Sequence, residues 1–416
     1  MITSRIAAGV VLSLMAFTPA HSVPPCDADN AGLTLPPGFC AGVVADGVGE
    51  PRHIAVSARG EVVAAMDGTG GVLILRDSDG DGRAEDRATI AEAAGTGIAL
   101  HDGHLYFATD SKVLRWPWNA GGPAPSSDPE IIVEGLVDQR QHAAKSIAIA
   151  AEGTAAGSLF VNIGAPSNAC QDPDRAPEVP GRDPCPLLAR SGGIWRFDAK
   201  RAGQRHEDGS RFATGLRNTV ALTVQPGTGE LWGVTHGRDS LSVLWPKLYT
   251  PQQNAELVAE ELVHLTEGDD FGWPYCFFDL ALGKKILNPE YGGDGKEVGR
   301  CNQKKDPAVA LPAHWAPIEI EFYTGSQFPP KYRGGAFVSF HGSWDRAPLP
   351  QAGYNVVFVP FQDGKATGAH EVFASGFGIN PGGPHRPTGL AVAPDGSLYV
   401  ADDRGGRIYR IQYARQ

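Results

Sequence analysis

The chain has 416 residues, with 36 Lys and Arg against 47 Asp and Glu and a formal net charge of −11. A chain this acidic, with no basic stripe, is not built to hold nucleic acid. Its 53 Gly and 33 Pro, and the lack of any long stretch of sustained helical periodicity, predict mostly β structure with many turns.

The N-terminus carries Arg5, an apolar run from Ile6 to Phe17 and the small-x-small pattern Ala20-His21-Ser22. That run is too short to span a bilayer and fits a secretory signal over residues 1–22. The remainder, 23–416, reads as one domain of a periplasmic or secreted protein with no membrane span. Six cysteines fall as three local pairs, Cys26/Cys40, Cys170/Cys185 and Cys276/Cys301, and export makes disulfides their natural use. No Cys-x-x-Cys-His run is present, so no c-type haem is attached here.

After the signal, LTLPPGFCAGVVADGV holds a Pro-Gly turn leading into a strand that could close a ring of sheets from outside. A unit then recurs: RHIAVSARGEVVAAMD from Arg52, TGIALHDGHLYFATD from Thr96, HAAKSIAIAAEGTAAGSLFVNIG from His142, GLRNTVALTVQPGTGELWGVTHGRD from Gly215, and HRPTGLAVAPDGSLYVADD from His385. A weaker copy, YRGGAFVSFHGSWDR, starts at Tyr332. Each joins two apolar runs through a Gly-containing turn, the signature of a hairpin. Units too small to bury their own apolar faces must stack, and about six of them predict an all-β, six-bladed β-propeller with long inserted loops.

The first unit ends in LRDSDGDGRAED, where Asp77, Asp79 and Asp81 have the spacing of a calcium loop. The twelfth position, which should be Glu, is Ala88, so a plain Asp-Gly turn is the competing reading. Three longer excursions follow: a Gly, Pro and Ser-rich linker over 119–129, a Pro-rich loop over 168–190 closed by two cysteines, and 241–317, the longest departure from the repeat. Long loops on a rigid scaffold are where specificity resides.

In the unit from Gly215, an antiparallel pair over Val220–Val224 and Glu230–Val234 brings Arg217 and Asn218 to the same edge as His236, Gly237, Arg238 and Asp239. Radial packing carries the equivalent edges of all units to one channel. Arg52, His142, Lys145, Arg217, Arg346 and Arg386 stand beside these edges or in connected loops. Several cations aimed at one channel suit an anionic ligand such as a polycarboxylate, or else pair with loop aspartates. His142 is the leading general-base candidate, with His53, His236, His341 and His385 as competitors.

The segments GLRNTVALTVQPGTGELWGVTHGRD, GDDFGWPYC, HWAP, FHGSWDRAPLPQAGYNVVF and HRPTGLAVAPDGSLYVADD, in this order, resemble the soluble pyrroloquinoline quinone (PQQ) sugar dehydrogenases, particularly their sorbosone dehydrogenase-like branch. The resemblance covers nearly the whole mature chain. It implies a propeller holding PQQ and Ca2+ that oxidises the C1 hydroxyl of an aldose, or a related aldehyde hydrate, and passes electrons to an external acceptor, a quinone or cytochrome. It places the catalytic base on His142, cofactor contacts on Arg217, Asn218 and Arg386, and backbone carbonyl ligands for calcium on Gly237 and Arg238. Arg52, Lys145 and Arg346 are cofactor contacts by edge position alone. Three positions depart from the glucose-oxidising members: Gln141 replaces an acid, Arg238 a proline and Thr388 a second arginine, which puts substrate choice in question. A calcium-dependent lactonase-like hydrolase and a non-catalytic binding propeller are the alternatives.

Overall fold

The computed structural model describes residues 24–91, 93–378 and 385–414, and the expected signal segment 1–22 lies outside them. Six sheets of four principal strands each form the blades of a β-propeller, with strands following one another in chain order from the channel outward. The blades span Pro51–Ile90, Gly95–Glu134, Ile147–Thr214, Ala221–Leu311, Pro317–Ala374, and a last one that joins Pro387–Tyr413 to Phe39–Asp46. The innermost strands touch one another in a closed cycle around the axis.

The ring closes as the Pro-Gly turn near residue 37 suggests. Phe39–Asp46 pairs antiparallel with Arg407–Tyr413, so the start of the chain supplies the outer strand of the blade that its end begins. Phe39 anchors this closure, with its ring edge-on to Phe328, Tyr332 and Phe373 at 4.8, 5.4 and 5.0 Å. Burying one such side chain contributes roughly 2–3 kcal/mol, and similar apolar layers fill each gap between blades.

All three local cysteine pairs form disulfides, Cys26–Cys40, Cys170–Cys185 and Cys276–Cys301. The Gly215 hairpin forms over Ala221–Val224 and Leu231–Thr235. The 241–317 excursion carries two short helices that sequence reading did not anticipate, Leu241–Leu244 and Pro251–Leu257, and a hairpin over Cys276–Leu287. Thr250 caps the second helix, accepting from Gln253 N–H, and Pro251 opens it. No helix among the described residues is long and apolar enough to cross a membrane.

At the Asp77 turn, carboxylate oxygens of Asp77, Asp79, Asp81 and Glu85 lie within 4.8 Å of one another on the exposed surface. Glu85, three positions before Ala88, is the fourth acid. Asp77 already accepts the Gly80 and Gly82 N–H groups, as a plain turn requires.

Candidate active site

The ends of the Gly215 hairpin meet as its register demands. His236 N–H donates to Asn218 O at 2.9 Å, and Arg217 crosses the gap, donating from Nη1 to Gly237 O at 2.9 Å and from Nη2 to Asp239 Oδ2 at 2.6 Å. Arg217 is 4% exposed and its Nε has no partner among the described residues. Gly237 is required where it stands, because a Cβ there would lie 2.6 Å from Ala259 O. Glu260 seats this turn from below, accepting Gly237 N–H and, through its other oxygen, Ala316 N–H.

These groups form one wall of a cavity of about 380 Å³, which is also lined by Arg52, His142, Arg175 and Trp344. His142 sits at φ 57° with Nδ1 2.5 Å from Ala165 O. A carbonyl only accepts, so Nδ1 carries the hydrogen and Nε2 keeps its lone pair. Gly164 makes room for the ring's attachment, since a Cβ there would lie 2.7 Å from His142 Cβ. Burial, reinforced by the Arg217 charge, holds the His142 pKa well below the usual imidazole value.

Neighbouring groups are displaced in opposite directions. His236 is pushed down to about 4, chiefly by burial. Burial raises Glu260 to about 8, against the pull of its two N–H donors. Burial would raise Asp239 too, but the Arg217 and Arg175 charges outweigh it and hold the carboxyl well below its ordinary range. The cavity therefore combines an ionised carboxylate, an unprotonated imidazole and fixed guanidinium charges.

Arg52 reaches the same cavity from the first blade and donates to Asp403 Oδ2 at 2.6 Å. Asp403 also holds His341 Nε2 at 2.9 Å, and Arg386 Nη1 stands 3.4 Å from His341 Nδ1. Arg386 thus joins Arg52 through a chain of contacts rather than lining the cavity itself. It packs 5.2 Å over the Tyr354 ring, with no partner for its Nε among the described residues.

Two further edge residues do not reach the cavity. Lys145 is fully buried and donates from Nζ to Ala143 O at 2.6 Å, facing the charges of Asp110 and Asp138, and burial lowers its pKa to about 8. Arg346 donates to Ala255 O and Ala313 O and ties loops together. Proximity to a strand start fixes where a backbone lies but not where a long side chain points. The Arg238 side chain turns away as well, pairing with the fully buried Glu290 and with Asn288.

Sequence reasoning missed Arg175, Glu260 and His314. Arg175 lies in the loop stapled by Cys170–Cys185 and donates from Nη2 to Asp239 Oδ2 at 2.9 Å. The cysteine pair marked the loop but not the residue it delivers.

A sequence model described as TrAA12-like matches residues 33–414. The chain belongs to the TrAA12-like family. It is 23% identical over 417 aligned positions to a pyrroloquinoline quinone-dependent sugar dehydrogenase of Hypocrea jecorina, covering 93% of this chain and 92% of the relative. It is 31% identical over 206 residues to an uncharacterized protein of Borreliella burgdorferi, covering 49% of this chain and spanning about half, 48%, of that relative's length. In fold, it is similar to the calcium structure of the Trichoderma reesei Family AA12 enzyme, with a TM-score of 0.76, 21% identity and coverage of 92% and 97%. It is also similar to the holo PQQ domain of Coprinopsis cinerea pyranose dehydrogenase, with a TM-score of 0.73, 19% identity and coverage of 91% and 97%. The resemblance to PQQ sugar dehydrogenases thus holds at the level of the family; the sorbosone dehydrogenase-like branch is not singled out.

Proposed function

We propose that this TrAA12-like protein is a PQQ- and calcium-dependent dehydrogenase that oxidises the C1 hydroxyl of an aldose or a sugar aldehyde hydrate, with His142 as base. The observation that carries this reading is the pairing of His142, its tautomer set by Ala165 O, with the buried Arg217 in one cavity. The cavity suits a planar polycarboxylate. Arg52, Arg175 and Arg217 line it, and Arg217 Nε and Gln141 Nε2 are buried donors without a partner among the described residues. The Hypocrea jecorina relative and the Coprinopsis cinerea domain are both named for PQQ, and one Trichoderma reesei structure is a calcium structure.

Bound PQQ supplies a two-electron acceptor for hydride from the substrate carbon. The chain's own residues do the rest. His142 Nε2 takes the hydroxyl proton, and its low basicity keeps it unprotonated and ready at neutral pH. Arg217, Asn218 and Arg52 would hold the cofactor's carboxylates, and Arg386 would support Arg52 through His341 and Asp403. Calcium would be held by the Gly237 and Arg238 carbonyls, the first of which also accepts from Arg217 Nη1, and Glu260 keeps that turn in place. Trp344, 61% exposed at the cavity mouth, offers a ring face to a sugar. Electrons leave to an external quinone or cytochrome, and three disulfides support a periplasmic or secreted location.

PQQ binding tests the reading. Titrating apoprotein with PQQ in calcium should give a saturable absorbance change that Arg217→Ala weakens. No uptake of PQQ by folded protein would turn the reading toward the hydrolase or binding propeller.

A further inference from the structure

Asp239 and His314 line the same cavity, and beside them stands Asp345, which this chemistry does not use. One carboxylate oxygen of Asp239, one ring nitrogen of His314 and one carboxylate oxygen of Asp345 lie within 4.8 Å of one another. His314 is 7% exposed, and its Nε2 stands 2.7 Å from Asn254 O. That carbonyl can only accept, so Nε2 carries the hydrogen and neutral imidazole leaves a lone pair on Nδ1. Nδ1 faces Asp239 Oδ1 at 3.9 Å, too far for a hydrogen bond, and has no donor partner among the described residues. Three acceptors thus converge with no donor between them among the described residues.

Each group is also fixed from behind. Asp239 Oδ2 accepts from Arg217 and Arg175 at 2.6 and 2.9 Å, leaving Oδ1 toward His314. Asp345 Oδ2 accepts Ser240 N–H at 2.7 Å, and Asn254 Nδ2 donates to Asp345 O at 3.0 Å. Outer partners that orient each candidate ligand are what a metal centre needs.

We propose that Asp239, His314 and Asp345 bind one divalent transition-metal ion, of the zinc or manganese class. Calcium takes oxygen ligands almost alone, whereas imidazole nitrogen with two carboxylates suits zinc and its neighbours. The ion joins three loops that are distant in sequence: the turn after the Gly215 hairpin, the loop before Pro317, and the loop bearing Trp344. It thereby fixes the cavity mouth. The donors are side chains, distinct from the Gly237 and Arg238 carbonyls, and the inference requires no PQQ.

The test is calorimetric titration of metal-free apoprotein with zinc in excess calcium, in an Asp79→Asn/Asp81→Asn background that disables the exposed acidic turn. One equivalent of zinc is expected to bind. His314→Gln and, separately, the near-isosteric Asp345→Asn should each weaken binding by at least about tenfold, the lower end of what losing even an outer partner costs. Circular dichroism of each variant confirms folding. Zinc uptake that is absent from folded protein, unchanged in both variants, or abolished by calcium would overturn the proposal. PQQ uptake with calcium alone, read by absorbance in parallel, fails or succeeds independently, so loss of the zinc site and loss of the cofactor reading give different results.

Discussion

Arg217 Nη2 lies 2.6 Å from Asp239 Oδ2, joining the residues just before and just after the Gly215 hairpin in a buried ion pair. Arg175 shares the same carboxylate oxygen from the disulfide-closed loop. Two guanidinium groups on one buried carboxylate leave a net positive charge facing the cavity, the charge an anionic cofactor would neutralise.

Removing Asp239 strands the buried Arg217, whereas removing Arg217 leaves Asp239 paired with Arg175. Asp239→Asn should destabilise the fold by about 3–5 kcal/mol, the usual cost of an uncompensated buried charge, and Arg217→Met by less. Arg217→Met added to Asp239→Asn should recover part of the loss, measured by a double-mutant cycle in denaturant. Equal and additive losses would show that the pair is not coupled.

His142→Ala should lower turnover by about 10²- to 10⁴-fold, the range for a positioned general base, while PQQ uptake changes little. Steady-state rates and a PQQ titration on the same preparation separate the two effects. Retained turnover in PQQ-loaded variant would remove His142 from the mechanism.

Cys170–Cys185 closes a loop with a sequence separation of 15. Opening it in Cys170→Ser/Cys185→Ser should cost about 3 kcal/mol on the chain-entropy argument. It should also weaken PQQ uptake, because Arg175 is then delivered by an unrestrained loop. An unchanged PQQ titration would place Arg175 outside cofactor binding.

At the channel, burial raises the Glu321 carboxyl from its ordinary value of 4.5 to about 7. Between those pH values the folded protein holds a proton on Glu321 that the unfolded chain has released, so this group's contribution to stability falls as pH rises through the window, against the rise contributed by the buried, depressed His142 and His236. Glu321→Gln should flatten that part of the stability profile, read by thermal melts from pH 4.5 to 7. The neighbouring Glu319 is also raised well above its ordinary value by burial and the Glu321 charge, so part of the slope should persist. A pH profile with the same slope in wild type and in Glu321→Gln would contradict the protonated Glu321.

The ring of blades was legible because each unit repeats a local code: an apolar run, a Gly turn and a second run. Arg217, Asn218 and Gly237 were legible for a related reason, since a hairpin's register forces its two ends together. Lys145 and Arg346 misled because a flexible side chain near a strand start can turn outward or inward. Arg175, Glu260, His314 and Asp345 were not legible as a group. They come from different loops and a strand whose approach depends on the closed ring, and their spacing carries no periodic signal.

The central measurement is dye reduction by purified apoprotein with PQQ and calcium, supplied singly and together, across a panel of aldoses and sugar aldehydes. Turnover that requires both additions, with at least one sugar in the panel, is the expected result. PQQ that binds but supports no oxidation of any sugar or aldehyde, or oxidation that proceeds without PQQ, would contradict a PQQ-dependent sugar dehydrogenase built around His142.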